Sequence, residues 1–149
     1  MNNFDPKPIH LDFDEGERAA VLIIYTGGTL GMSFNSEGAL VPSSFDHILS
    51  KLPVLEELKL SLSVISFEPP IDSSNIRMEQ WGDIARIIKS QYEQFDGFVI
   101  LHGTDTMAYS ASALSFMLQG LNKPVIFTGA QLPIGLPRSD ARENFIGAL

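Results

Sequence analysis

Four short apolar runs punctuate the chain, and glycine or proline follows soon after each. Ala19–Tyr25 (AAVLIIY) is unbroken and carries the β-branched Val21, Ile23 and Ile24, the composition of a strand buried on both faces. Leu60–Phe67 (LSLSVISF) alternates, while Phe98–Leu101 and Val125–Phe127 are brief and apolar; all three read as further strands. Between them the spacing changes to three and four. From Met78 to about Phe95, Trp81, Ile84, Ile87 and Ile88 share one face of a predicted helix. A second long helix is expected over Met107–Leu118, with Ala111, Leu114, Phe116 and Leu118 offered to the core and Gly120 closing it. Ser43 or Ser44 caps a shorter helix holding Phe45, Ile48 and Leu49, which Pro53 limits; Ser139 or Asp140 starts another, with Glu143 near its third position. Ser33–Pro42 reads as a mobile loop and Glu68–Ser74 as a second loop.

Strand, loop, helix, strand at these intervals is the rhythm of an α/β fold. The expectation is an open, mostly parallel sheet with helices on both faces, a three-layer arrangement of the Rossmann or flavodoxin-like kind. Residues 1–18 form an acidic, proline-containing lead, and residues 19–149 one α/β domain. The last helix calls for another strand to pack against, so the chain is expected to be the front part of a longer protein.

Composition narrows the chemistry. The 149 residues contain 44% apolar and 19% charged residues, which suits a folded domain. A formal charge of −8 leaves no basic face to displace counterions from nucleic acid. There is no cysteine, so thiol chemistry is absent and a cytoplasmic location is the default. His10, His47 and His102 are scattered and, without cysteines, give no zinc spacing, so no metal is expected. No apolar stretch is long enough for a membrane span.

Two threonine-rich segments carry the candidate chemistry: Tyr25–Gly31 (YTGGTLG) and His102–Thr106 (HGTDT). Each follows a buried strand, and parallel strands deliver such loops to one crevice. Thr29 sits behind two glycines, which permit a tight turn and leave backbone amides available; the alternative is a plain strand-to-helix turn. A phosphate loop is excluded, since no lysine follows the glycines, and Asp46 is not placed to hold a ribose. Thr104 supplies a second hydroxyl, and Asp105 a carboxylate suited to an ammonium group. Asp105 or Thr106 equally suits capping of the helix that follows. His102, closing an apolar strand, reads as a structural group more readily than as a base. Asp72, Ser73 and Ser74 form another post-strand loop whose hydroxyl and backbone groups suit a carboxylate, although taken alone the segment reads more readily as a hairpin or the approach to a helix. Gln131 and Arg138 are weaker candidates, with Arg138 and Arg142 expected to pair with Asp140 or other acids.

These motifs resemble the bacterial-type L-asparaginase (asparaginase/glutaminase) family, in its type I cytoplasmic branch. YTGGTLGM is similar to the first threonine motif of that family and LHGTDTMAYSASALSFML to the second; DSS, KPVIFTGAQLP and RSDARENFIGAL keep its order. The resemblance runs from about Val21 to Leu149. It implies hydrolysis of the asparagine side-chain amide, without a cofactor, by a homodimer or homotetramer. Thr29 matches the nucleophile, and Thr104 and Asp105 match two members of a Thr-Asp-Lys group, with Asp105 also holding the substrate ammonium. Asp72, Ser73 and Ser74 match the substrate loop, with Ser73 on the carboxylate. The family's lysine and an acidic partner are expected beyond Leu149, so these residues alone are expected to have little activity. Many relatives carry a tyrosine in the loop after the first motif; Leu40 stands near that position here, and Tyr25, Tyr92 and Tyr109 do not replace it. The same resemblance admits a glutaminase or amidotransferase-type amidohydrolase, and a binding module without turnover is the non-enzymatic alternative.

Overall fold

Alternation along one central strand sets the architecture: Val21, Ile23 and Tyr25 enter one core, Leu22 and Ile24 the other. A computed structural model describes residues 6–11 and 18–149. The elements in order are β1 (Ile9–Leu11), β2 (Ala19–Gly27), β3 (Met32–Phe34), β4 (Leu40–Pro42), α1 (Phe45–Ser50), β5 (Leu60–Ile71), α2 (Met78–Gln91), β6 (Gly97–Leu101), α3 (Met107–Met117), β7 (Val125–Thr128) and α4 (Ala141–Ala148). Single 3-10 turns lie at Thr29–Gly31, Pro53–Glu57 and Ser73–Asn75.

The main sheet has the order β1-β5-β2-β6-β7. β5, β2, β6 and β7 are parallel, and only β1 runs antiparallel, along β5. Numbered by their place in the chain, the parallel strands stand 2-1-3-4. That is the flavodoxin-like order, with its switch point between β2 and β6. Phe45 and Ile48 of α1 and Ala141, Phe145 and Ala148 of α4 fill one core; Ile84, Ile87 and Ile88 of α2 and Leu114 of α3 fill the other. Both faces are therefore covered, as the alternating elements require. Ile100 is fully enclosed on the α2–α3 side. Trimming it in Ile100→Val removes one methylene from that core and is expected to cost about 0.5–1.5 kcal/mol in urea unfolding, with the slope unchanged.

Several boundaries differ from those the sequence predicts. Ile9–Leu11, within the acidic lead, form an edge strand paired with Leu62–Val64; residues 1–5 and 12–17 lie outside the described residues. The Ser33–Pro42 stretch is a hairpin of β3 and β4, not a loose loop. The Asn35 carboxamide oxygen accepts from the amides of Glu37 (3.0 Å) and Ala39 (2.9 Å), and Gly38 takes the left-handed conformation at φ +77°. β5 continues through Pro69 and Pro70 to Ile71 instead of stopping at Phe67. It does so across a register shift, where Ser66 pairs with Tyr25 and Ile71 with Gly27, leaving the prolines out of the ladder. α2 ends at Gln91, before Phe95, which packs into the core after the helix. Phe116, expected in the core, is 77% exposed, while Leu114 is buried. α3 stops at Met117, and Gly120 takes φ +78° in the turn beyond.

Candidate active site

Four loops leave the carboxyl ends of β5, β2, β6 and β7, and they meet through glycine. A Cβ added to Gly28 would lie 2.6 Å from both the Cα and the N of Gly103. One added to Gly103 would lie 2.6 Å from the Ser73 Cβ and would collide with its hydroxyl. The backbone of the first threonine loop thus rests on that of the second, and the second rests on Ser73. One added to Gly129, after β7, would strike the His102 carbonyl oxygen and come 2.7 Å from the terminal methyl of Met107. The glycines in these motifs are there because the loops are packed against one another. The loops after β2 and β6, on either side of the switch point, are thus in direct contact.

Each loop is fastened from below. Thr26, buried at the end of β2, donates to the Leu101 carbonyl at 2.9 Å and ties the two central strands together. The Thr29–Gly31 turn follows Gly27 (φ +133°) and Gly28 (φ +90°). Its last carbonyl, on Gly31, accepts from the Ser43 hydroxyl (2.7 Å), the Ser43 amide (2.9 Å) and the Tyr25 hydroxyl (3.4 Å). Burial pushes the Tyr25 phenol up to about 12, so it stays a donor throughout the physiological range. The Leu30 carbonyl accepts from the Ile134 amide at 3.2 Å. Thr29 itself is half-buried at the head of this braced turn.

Asp72, Ser73 and Ser74 divide their tasks. The Asp72 carboxylate accepts from the Ser74 hydroxyl (2.8 Å) and amide (3.0 Å), and these bonds hold it below the usual carboxylate range. Ser73 is 4% exposed, and its carbonyl accepts the Thr106 hydroxyl at 2.8 Å. Thr106 is the residue before α3, yet its side chain bonds to the Ser73 loop and does not cap the helix. Thr104 is half-buried and Asp105 exposed, both just ahead of the α3 amino terminus, where the helix dipole favours negative charge. His102 is 1% exposed and bonds through Nδ1 to the Gly103 carbonyl at 2.7 Å; burial lowers its pKa.

The loop after β7 is pinned by α4. The Asp140 carboxylate accepts from the amides of Gln131 (3.0 Å) and Leu132 (3.1 Å), and these bonds, Gln131 first, keep it well ionised. The Asn144 carboxamide donates to the Gly129 carbonyl (2.9 Å) and to Asp140 (3.1 Å). The expected pairing of Arg138 and Arg142 with acids is not found among the described residues; Arg142 donates to the Lys51 carbonyl at 3.0 Å. Ser139, not Asp140, reaches the α4 amide of Ala141, at 3.0 Å. Sequence reasoning did not reach Tyr25, Ser43, Asp140 or Asn144 as supports. For the last two, the signal was an acid and an amide four residues apart at the start of a helix.

A family model described as "Asparaginase, N-terminal" matches residues 20–149. The chain is 44% identical over 137 residues to L-asparaginase 1 of Escherichia coli strain K12, covering 89% of this chain and 40% of that protein. The solved L-asparaginase I of Vibrio cholerae superposes with a TM-score of 0.78 at 42% identity, over 89% of this chain and 40% of that one. A probable cytoplasmic L-asparaginase of Campylobacter jejuni gives a TM-score of 0.75 at 30% identity, over 88% of this chain and 38% of that one. The chain therefore spans about 40% of the length of these relatives.

Proposed function

The chain belongs to the asparaginase family, and from that premise we propose that the protein carrying it hydrolyses the side-chain amide of L-asparagine to L-aspartate and ammonia, with Thr29 as nucleophile. The observation that supports this most directly is the contact of Gly28 with Gly103, which brings the braced Thr29 turn beside Thr104 and Asp105 and above Ser73. In this reading the Thr29 hydroxyl attacks the amide carbon and its proton passes to a base. The carbonyl oxygen becomes an oxyanion held by backbone N–H groups of the loops. Collapse breaks the C–N bond, a proton joins the leaving nitrogen, and ammonia departs. Water then cleaves the Thr29 ester and aspartate leaves.

Asp105 holds the substrate ammonium, and Ser73, with Asp72 and Ser74 shaping its turn, receives the α-carboxylate. Thr104 takes part in proton transfer together with a lysine supplied from outside these residues. Leu40, exposed on β4, has no hydroxyl, so the activation of Thr29 does not run through that position. A cytoplasmic location and a homodimeric or homotetrameric assembly complete the proposal. Among the described residues no helix is long and apolar enough to cross a membrane.

Ammonia release from asparagine and from glutamine by the protein carrying this chain tests the assignment. Asparagine is expected to be preferred by about 10–200-fold in kcat/KM, the range one methylene provides. A reactive asparagine analogue should leave its adduct on Thr29 in a peptide mass map. Equal or greater turnover of glutamine would move the reading to a glutaminase. Binding of asparagine without any ammonia would move it to a binding module.

A further inference from the structure

We propose that His102 is a positioning residue: its Nδ1–H clamps the Gly103 carbonyl so that the amide N–H of Thr104 is turned into the crevice as a fixed donor to the substrate. The proposal rests on the reading of Thr104 as part of the substrate site. Gly103 is the weak point of that site. Ser73 and Gly28 close over it so tightly that no side chain fits, and a glycine leaves the orientation of its own peptide undetermined. A separate device has to set that plane.

The histidine supplies it. β6 is buried along its whole length, and an apolar residue at position 102 would pack as well against Phe127, whose ring centroid lies 5.8 Å from the imidazole. What an apolar residue lacks is the 2.7 Å bond from Nδ1 to the Gly103 oxygen. A carbonyl only accepts, so Nδ1 carries the proton. Nε2 is buried and has no partner among the described residues, so it is left as a bare acceptor. Among the described residues only the Glu68–Pro69 bond is cis, so the Gly103–Thr104 peptide is trans, with its N–H opposed to its C=O. Tying the carbonyl down to the buried ring sends the Thr104 N–H the other way. Among the described residues no protein acceptor takes that amide.

The test compares His102→Asn, whose carboxamide replaces the Nδ1–H donor, with His102→Leu, which removes it, in the protein carrying this chain. His102→Leu is expected to lose about 10²-fold in kcat with KM little changed, and His102→Asn to keep most of the rate. Histidine-selective nitrogen-15 spectra of the wild type should show a protonated Nδ1 and a bare Nε2 across the neutral range. If asparagine is turned over and His102→Leu keeps its kcat, the clamp is overturned while the asparaginase reading stands. If the wild type releases no ammonia, that reading fails, and the spectra alone decide the clamp. A proton on Nε2 overturns it. Should His102→Leu not fold, the spectra and the His102→Asn rate carry the test.

Discussion

Thr29→Ala is expected to abolish asparagine turnover while leaving the fold and substrate binding in place, a loss of about 10⁴-fold or more in kcat. The expectation of an intact fold comes from where the turn is held. The bonds that fasten Thr29–Gly31 run to the carbonyls of Leu30 and Gly31, from Ile134, Ser43 and Tyr25, and none uses the Thr29 side chain. Among the described residues the Thr29 hydroxyl has no hydrogen-bond partner, so its removal orphans nothing. Thermal unfolding should therefore be near that of the wild type, and calorimetry should still detect aspartate binding through Asp105 and the Ser73 loop. Thr29→Ser keeps a hydroxyl on the same turn and should recover part of the rate. Turnover by Thr29→Ala comparable with the wild type would transfer the nucleophile's role to Thr104, and the analogue adduct would then be found there.

The parts of this molecule legible in the sequence are those governed by burial. β2 and β6 announce themselves because nearly every position faces a core, and α2 because Ile84, Ile87 and Ile88 recur on its one buried face, so the pattern of apolar residues is the pattern of the fold. The parallel strand order follows from the alternation of strands and helices, and with it the meeting of the two threonine loops. Where local and tertiary signals compete, the reading fails. Pro69 and Pro70 look like a stop, yet β5 passes them by leaving the ladder for a few residues. Asn35 and Gly38 close a hairpin whose strands are too exposed to show a clear alternation. Phe116 looks like a core residue because α3 is apolar nearly all round, and a helix of that kind does not reveal which side faces inward. Ser43 reads as a helix cap and instead holds the Gly31 carbonyl, a contact across the chain that no local pattern encodes. The candidate nucleophile was legible from its motif, whereas the groups that aim it became visible only in three dimensions.

Gly28→Ala should be nearly as damaging as loss of the nucleophile, although it adds only a methyl group and leaves Thr29 untouched. Its Cβ would lie 2.6 Å from the Cα and the N of Gly103 and 2.9 Å from the His102 carbonyl carbon, all backbone atoms with no rotamer to yield. Gly28 also holds φ at +90°, a conformation that L side chains rarely adopt. Neither problem is relieved by local movement. The first threonine loop is tied at Thr26 and Gly31, and the second is held between Ser73 and the buried His102 ring. The two loops must separate, and a displacement of about 1 Å between nucleophile and substrate costs on the order of 10²-fold in rate. Strain at that dihedral adds about 1–3 kcal/mol of destabilisation, visible as a lower urea midpoint. Gly38→Ala provides the control, because Gly38 also has a positive φ, at +77°, but nothing lies within 4 Å of its added Cβ. It should pay the backbone strain in stability and keep its kcat. If both variants lose stability but neither loses rate, the contact between the two threonine loops is structural only, and the catalytic geometry is set elsewhere in the protein.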